Sequence, residues 1–234
     1  MPDSASYPPR VAYLFSRFPV VSQTFCDTEM LGLEAAGFHL AVASFNPPPN
    51  SFRHERLARL RAAVIYPPPK PVLERILKSP PDDPVWRAMD TLAAELESRY
   101  GQEFRPGPKA RQAWYFAGEL LRRGIRHVHI HFANDATFTA LFLKKAGITF
   151  SFTAHAQDFM IDLGNDDLLR EMIREAAFTV AVSDFSRDLL VRICPGAEDR
   201  IHRVYNGIDA AQFPQASLGA GGRFKIVSVG RLID

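Results

Sequence analysis

The sequence has only two cysteines, Cys26 and Cys194, and neither lies at a spacing that closes a metal or redox motif. That excludes a disulfide-stapled scaffold and indicates buried, reduced thiols of a cytoplasmic protein. No apolar run is long enough to span a bilayer, and the stretch from Met1 to Arg10 contains no apolar signal core. Charge is nearly balanced, with 28 Lys and Arg against 26 Asp and Glu, and a net +2 gives no argument for nucleic acid. What the chain does have is a hydrophobic content of 47% over 234 residues, enough for a sizeable core.

The pattern is that of an α/β protein with a doubly wound, Rossmann-like parallel sheet. Val11 to Phe15 reads as a strand, followed by the loop Ser16 to Val21 and a helix from Thr24 to about Ala36. Thr24 and Asp27 have the spacing of a capping box, and Gly37 is placed to stop the helix. His39 to Phe45 is the next strand, which completes a strand–helix–strand unit. Residues 46–123 read as a proline-rich and helical insertion, with Val64 to Tyr66 as a short strand and two amphipathic helices over Trp86–Tyr100 and Ala110–Leu121. Inner strands follow at His127–Phe132, from Phe150, and at Phe178–Val182, with helices opened by Asn134 or Asp135, at Asp166, and by Asp184 or Ser186. A last short strand runs over Ile201–Tyr205 before the turn Asn206-Gly207.

A parallel sheet collects its ligand site at the carboxyl ends of its strands. The stretch Phe152-Thr153-Ala154-His155-Ala156-Gln157-Asp158 places His155 at such an end, with Asp158 three residues on, either to orient the imidazole or to cap the turn. Ser22, Gln23 and Thr24 offer hydroxyls and an amide at the first helix mouth, as caps or as ligand contacts; no glycine pair there lets a backbone approach a pyrophosphate. His127, His129 and His131 share one strand face, but same-face neighbours on a strand are about 7 Å apart. All three cannot meet one ion at about 2 Å, so no metal is expected, and His131 is the one placed to reach a site. Between Arg53 and Lys78 basic residues outnumber acids, a solvated face or a rim for anionic headgroups at the inner membrane surface.

In order, Phe15-Ser16-Arg17-Phe18-Pro19 with Ser22-Gln23-Thr24-Phe25, His129 to Ala133, Phe152 to Asp158, and Val204-Tyr205-Asn206-Gly207-Ile208-Asp209 resemble the amino-terminal half of retaining, GT-B fold nucleotide-sugar glycosyltransferases. The resemblance is to the family 4 type, nearest the exopolysaccharide or colanic-acid subgroup. Ser228 to Leu232 looks like the first strand of a donor-binding domain. On that reading residues 1–208 form the acceptor-side domain, 209–223 a linker, and 224–234 the start of a truncated second domain.

The resemblance implies transfer of a sugar with retention from a nucleotide diphosphate to a glycan or lipid-linked acceptor in surface polysaccharide synthesis, without a cofactor. It implies that His155 lies beside the donor sugar and that Ser22, Gln23 and Thr24 face acceptor and donor phosphate. Asn206 and Gly207 would line the cleft, with Ser183 and His131 on the same edge. Arg231 would hold the donor diphosphate, which suits a permanently charged, bidentate guanidinium. The chain alone is expected to be inactive. The rival expectation is a non-catalytic sugar- or nucleotide-binding domain, since doubly wound sheets host many functions.

Overall fold

Alternation along the first strand decides the layout of the whole molecule. In the computed structural model, which describes residues 8–51, 53–77, 82–208, 210–212 and 226–228, β1 spans Arg10–Arg17. Ala12 and Leu14 point into one buried cluster, and Tyr13 and Phe15 into another on the opposite face. β1 pairs in parallel with β2 (His39–Asn46) on one side and β4 (His127–His131) on the other. β3 (Ala63–Ile65) lies outside β2, while β5 (Thr149–Ala154), β6 (Thr179–Ala181) and β7 (Ile201–Arg203) continue beyond β4. The result is a seven-stranded, all-parallel sheet in the order β3-β2-β1-β4-β5-β6-β7.

The winding direction reverses between β1 and β4. With right-handed crossovers, helices on the two sides of that switch must cover opposite faces. The clusters show this. α1 (Thr24–Ala35) packs Cys26 and Met30 with Tyr13 and Phe15. On the other face lie α3 (Pro84–Tyr100), α4 (Pro106–Arg122), α5 (Asp135–Leu143), α6 (Asp166–Glu175) and α7 (Asp184–Ile193). Phe116, Phe138, Phe142, Phe150 and Phe152 are fully buried there. At roughly 25 cal/mol per Å² of apolar surface, this face supplies most of the drive to fold.

Two sequence expectations need correction. α1 is not opened by a capping box: Gln23 is its N-cap without a side-chain bond, and Asp27 turns inward to an ion pair with Arg56 at 3.5 Å. α7 is capped by Ser183, which accepts from the Ser186 N–H at 3.1 Å, so neither Asp184 nor Ser186 does so. Within the helical and proline-rich insertion, α2 (Lys70–Leu77) begins inside the Pro67 to Pro71 run. Pro71 is tolerated because it falls in the first turn, where its missing N–H has no intrahelical partner anyway. Of the strand expected over 224–231, only Ile226 to Ser228 are described, and they are exposed; the rest, Arg231 included, lies outside the described residues.

Candidate functional site at the carboxyl edge of β4 and β5

β4 and β5 pair from His127 with Thr149 to His131 with Thr153, so their polar faces interleave. His127 bonds Thr149 Oγ1 at 2.8 Å and Ser151 Oγ at 2.9 Å. His129 bonds Ser151 Oγ at 2.8 Å and Thr153 Oγ1 at 3.0 Å. At the strand ends the pattern changes. His131 Nδ1 meets His155 Nε2 at 3.2 Å, so the structure brings these two site candidates into direct contact. Burial, with His131 nearby, lowers the His155 imidazole to about 4; burial and His131 also lower His129 to about 3. Both rings are neutral at pH 7.

The wall around His155 is aromatic. The Phe25 and Phe132 rings stand 4.7 Å and 4.6 Å from its ring centre. Phe132 follows β4 with a φ of +79°, a conformation that a bulky side chain rarely adopts. Its N–H donates to the Thr153 carbonyl at 2.8 Å, and its own carbonyl accepts from the Thr137 hydroxyl at 2.7 Å. Strain of this kind persists only where neighbours over-determine it.

Asp158 supplies the rest of that constraint. Its Oδ2 accepts from the N–H groups of Ala133 at 2.5 Å and His155 at 3.1 Å, and Oδ1 from that of Phe159 at 2.7 Å. The carboxylate thus ties the β4–α5 corner to the β5 corner through backbone, and its described bonds do not include the His155 ring. Burial pushes its carboxyl up to about 6 even though these N–H donors favour the charge. A π-helical turn begins at the same residue, Asp158–Asp162.

The other candidates occupy the same edge at greater remove. Ser22 is exposed after β1, and Gln23 carries a buried side-chain oxygen without a partner among the described residues. Thr24 opens α1, and its carbonyl accepts from the Thr28 hydroxyl at 3.0 Å. Ser183 follows β6 as a helix cap; Asn206 and Gly207 are exposed after β7. No described hydrogen bond joins any of these to His155. On the outer side of α1, Arg56, Arg59 and Arg61 line a hollow of about 550 Å³. Arg56 pairs with Asp27 and Arg61 with Glu34, both at 3.5 Å, so two of these cations serve the fold.

Glu29 was not anticipated. Its Oε1 lies 3.5 Å from His131 Nε2 and 3.9 Å from His129 Nε2, and it accepts from the Tyr13 hydroxyl at 2.5 Å. Glu29, His129 and His131 offer ligand atoms within 4.8 Å of one another, so this trio has the spacing for an ion that the strand histidines alone lack. Ligation there would displace the Tyr13 and Thr153 bonds already made. The signal for Glu29 was an acid on the inward side of α1, one turn from the buried Cys26 and beside Met30.

The architecture recurs in solved structures. An Anabaena protein, HepE, solved in complex with UDP and glucose, aligns over 89% of this chain and 47% of its own, at 12% identity and a TM-score of 0.54. Sucrose-phosphate synthase from Thermosynechococcus elongatus aligns over 88% of this chain and 50% of its own, at 12% identity and a TM-score of 0.52. The chain thus spans about half the length of these solved chains, and its fold is that of one half of the GT-B glycosyltransferases. A search of the curated proteins by sequence finds no match. The sequence pattern of Glycosyltransferase Family 4 matches residues 23–212, which cover the first helix, all of β2 to β7 and the His155 edge. The chain belongs to Glycosyltransferase Family 4.

Proposed function

We propose that this chain forms the acceptor-side wall of a retaining glycosyltransferase that takes a sugar from a nucleotide diphosphate to a glycan or lipid-linked acceptor in surface polysaccharide synthesis. One observation supports this most: His155 stands at the carboxyl edge one strand from the β1–β4 switch, bonded to His131 and walled by Phe25 and Phe132. A neutral imidazole held against aromatic rings suits a sugar, which offers both hydroxyls and apolar C–H faces.

The transition state of such a transfer carries positive charge on the ring while the diphosphate departs as an anion. His155 orients the sugar by hydrogen bonding, and Asp158 holds the backbone on which His155 sits. Ser22, Gln23 and Thr24 face the phosphates at the mouth of α1, which has no side-chain cap and whose positive dipole end favours an anion. Ser183, Asn206 and Gly207 line the cleft further along, and Arg231 holds the diphosphate. The leaving phosphate takes the acceptor proton, so no protein base is assigned. No described helix is long and apolar enough to cross a membrane, and a lipid-linked acceptor would be met at the surface.

The test is turnover. The 234-residue chain alone should show no transfer, and joined to a donor-binding half it should transfer from a nucleotide sugar. In the joined protein His155→Ala should lower turnover on the order of a hundredfold, the usual scale for a positioned imidazole. Transfer by the chain alone, or near-normal turnover in His155→Ala, overturns this assignment.

A further inference from the structure

An imidazole presents either a donor or an acceptor to a ligand, and the bond made by its other nitrogen decides which. For His155 that bond joins Nε2 to His131 Nδ1 at 3.2 Å. The two nitrogens share one proton, so the tautomer of His131 sets that of His155.

The second nitrogen of His131, Nε2, is buried and has no hydrogen-bond partner among the described residues. The acid facing it is Glu29, whose Oε1 is 3.5 Å away and is held from behind by the Tyr13 hydroxyl at 2.5 Å. Burial pushes the Glu29 carboxyl up, but His131, His129 and Tyr13 outweigh burial and hold it at about 2, so it is an anion. An ionised carboxylate only accepts. With one N–H on each ring, that of His131 faces Glu29, its Nδ1 is left bare, and His155 donates from Nε2. The Glu29 side chain is 42% exposed and free to close the remaining gap, as polar contacts in unliganded sites commonly do.

We propose that Glu29 is a positioning residue which, acting through His131, fixes His155 in its Nε2–H tautomer and leaves His155 Nδ1 as an acceptor for a hydroxyl of the bound sugar. The chain of groups runs Tyr13 hydroxyl, Glu29 carboxylate, His131, His155. His129 stands aside from it, since both its nitrogens are occupied by Ser151 and Thr153. The hydroxyl-reading half of the proposal rests on His155 being the sugar-facing residue; the tautomer does not.

Two-bond proton–nitrogen correlation spectra of the histidine-labelled 234-residue chain test it without any transfer assay. The wild-type chain should show His131 and His155 both protonated at Nε2, with bare-nitrogen shifts at Nδ1. In Glu29→Ala the His155 Nδ1 shift should move toward the protonated value as the preference is lost. Glu29→Gln, which keeps an acceptor oxygen, should restore most of it. A His155 protonated at Nδ1 in the wild-type chain overturns the proposal, whatever the fate of the variants. So does a His155 Nδ1 shift that Glu29→Ala leaves unmoved. If the tautomer is as stated but His155→Ala transfers normally in the joined protein, only the sugar-binding half is overturned.

Discussion

The two ends of the β4–β5 pair carry the same side-chain type and use it differently. At the amino end, His127 and His129 have every ring nitrogen bonded to a Ser or Thr of the neighbouring strand. At the carboxyl end, His131 and His155 bond each other, and His131 Nε2 is left facing an acid. Buried polar groups are normally satisfied. The saturated end is therefore structural, and the end with capacity to spare is the one to which the proposed function assigns the ligand. The lesson is that histidine at a strand position carries no function by itself; the bonding capacity left on its ring does.

Breaking the carboxyl end should have the largest effect on stability. Asp158→Ala strips three backbone N–H groups of their acceptor and releases the strained Phe132 corner, for a loss of about 3 kcal/mol in denaturant unfolding. A loss below about 1 kcal/mol would show that the corner is held by other contacts.

The amino end should respond next, with a pH signature. His129→Leu should cost about 2 kcal/mol at pH 7 by orphaning the Thr153 hydroxyl and leaving Ser151 only its bond to His127. Because burial lowers the native His129 to about 3, from an ordinary 6.5, its stabilisation is intact above pH 6.5. As pH falls from 6.5 toward 3, the unfolded chain takes up a proton that the native ring refuses, and stability drains away. The leucine variant lacks that drain, so the gap between variant and wild type should close on acidification. His155, lowered to about 4, erodes stability over 6.5 to 4 in the same direction. Asp158 opposes both: its native carboxyl, raised to about 6, protonates before the unfolded one and returns stability as pH falls through 6. A gap that holds constant from pH 7 to pH 4 would contradict the neutral, buried His129.

The smallest effect belongs to a residue remote from both ends. Ser183→Ala should cost about 1 kcal/mol, the usual value of an N-cap, without altering the tautomer of His155.

Much of this arrangement was legible in the sequence because it is written in local pattern. The apolar run into His155, the alternation of His127, His129 and His131, and the glycines at positive φ after α1, α4 and the turn following α5 mark their elements directly. The contacts that make the site were not legible, because the sheet creates them across long separations. Ala133 meets Asp158 over 25 residues, and Glu29 meets His131 only because α1 lies over the β1–β4 switch. A charged residue on a helix is ordinarily solvent-facing, which hid Glu29. The spacing of Thr24 and Asp27 imitated a cap, while Arg56, from the segment between β2 and β3, took Asp27 instead. Proline punctuation blurred the bounds of α2, since Pro71 reads as a break unless its place in the first turn is known.

The most direct measurement pairs the two ends in one experiment. In the chain joined to a donor-binding half, His129→Leu and His155→Ala are compared for melting temperature and for turnover well below melting. His129→Leu should lose several degrees and keep most of its turnover, whereas His155→Ala should keep its melting temperature and lose turnover about a hundredfold. If His155→Ala melts early and transfers normally when folded, the carboxyl end is as structural as the amino end and the site lies elsewhere.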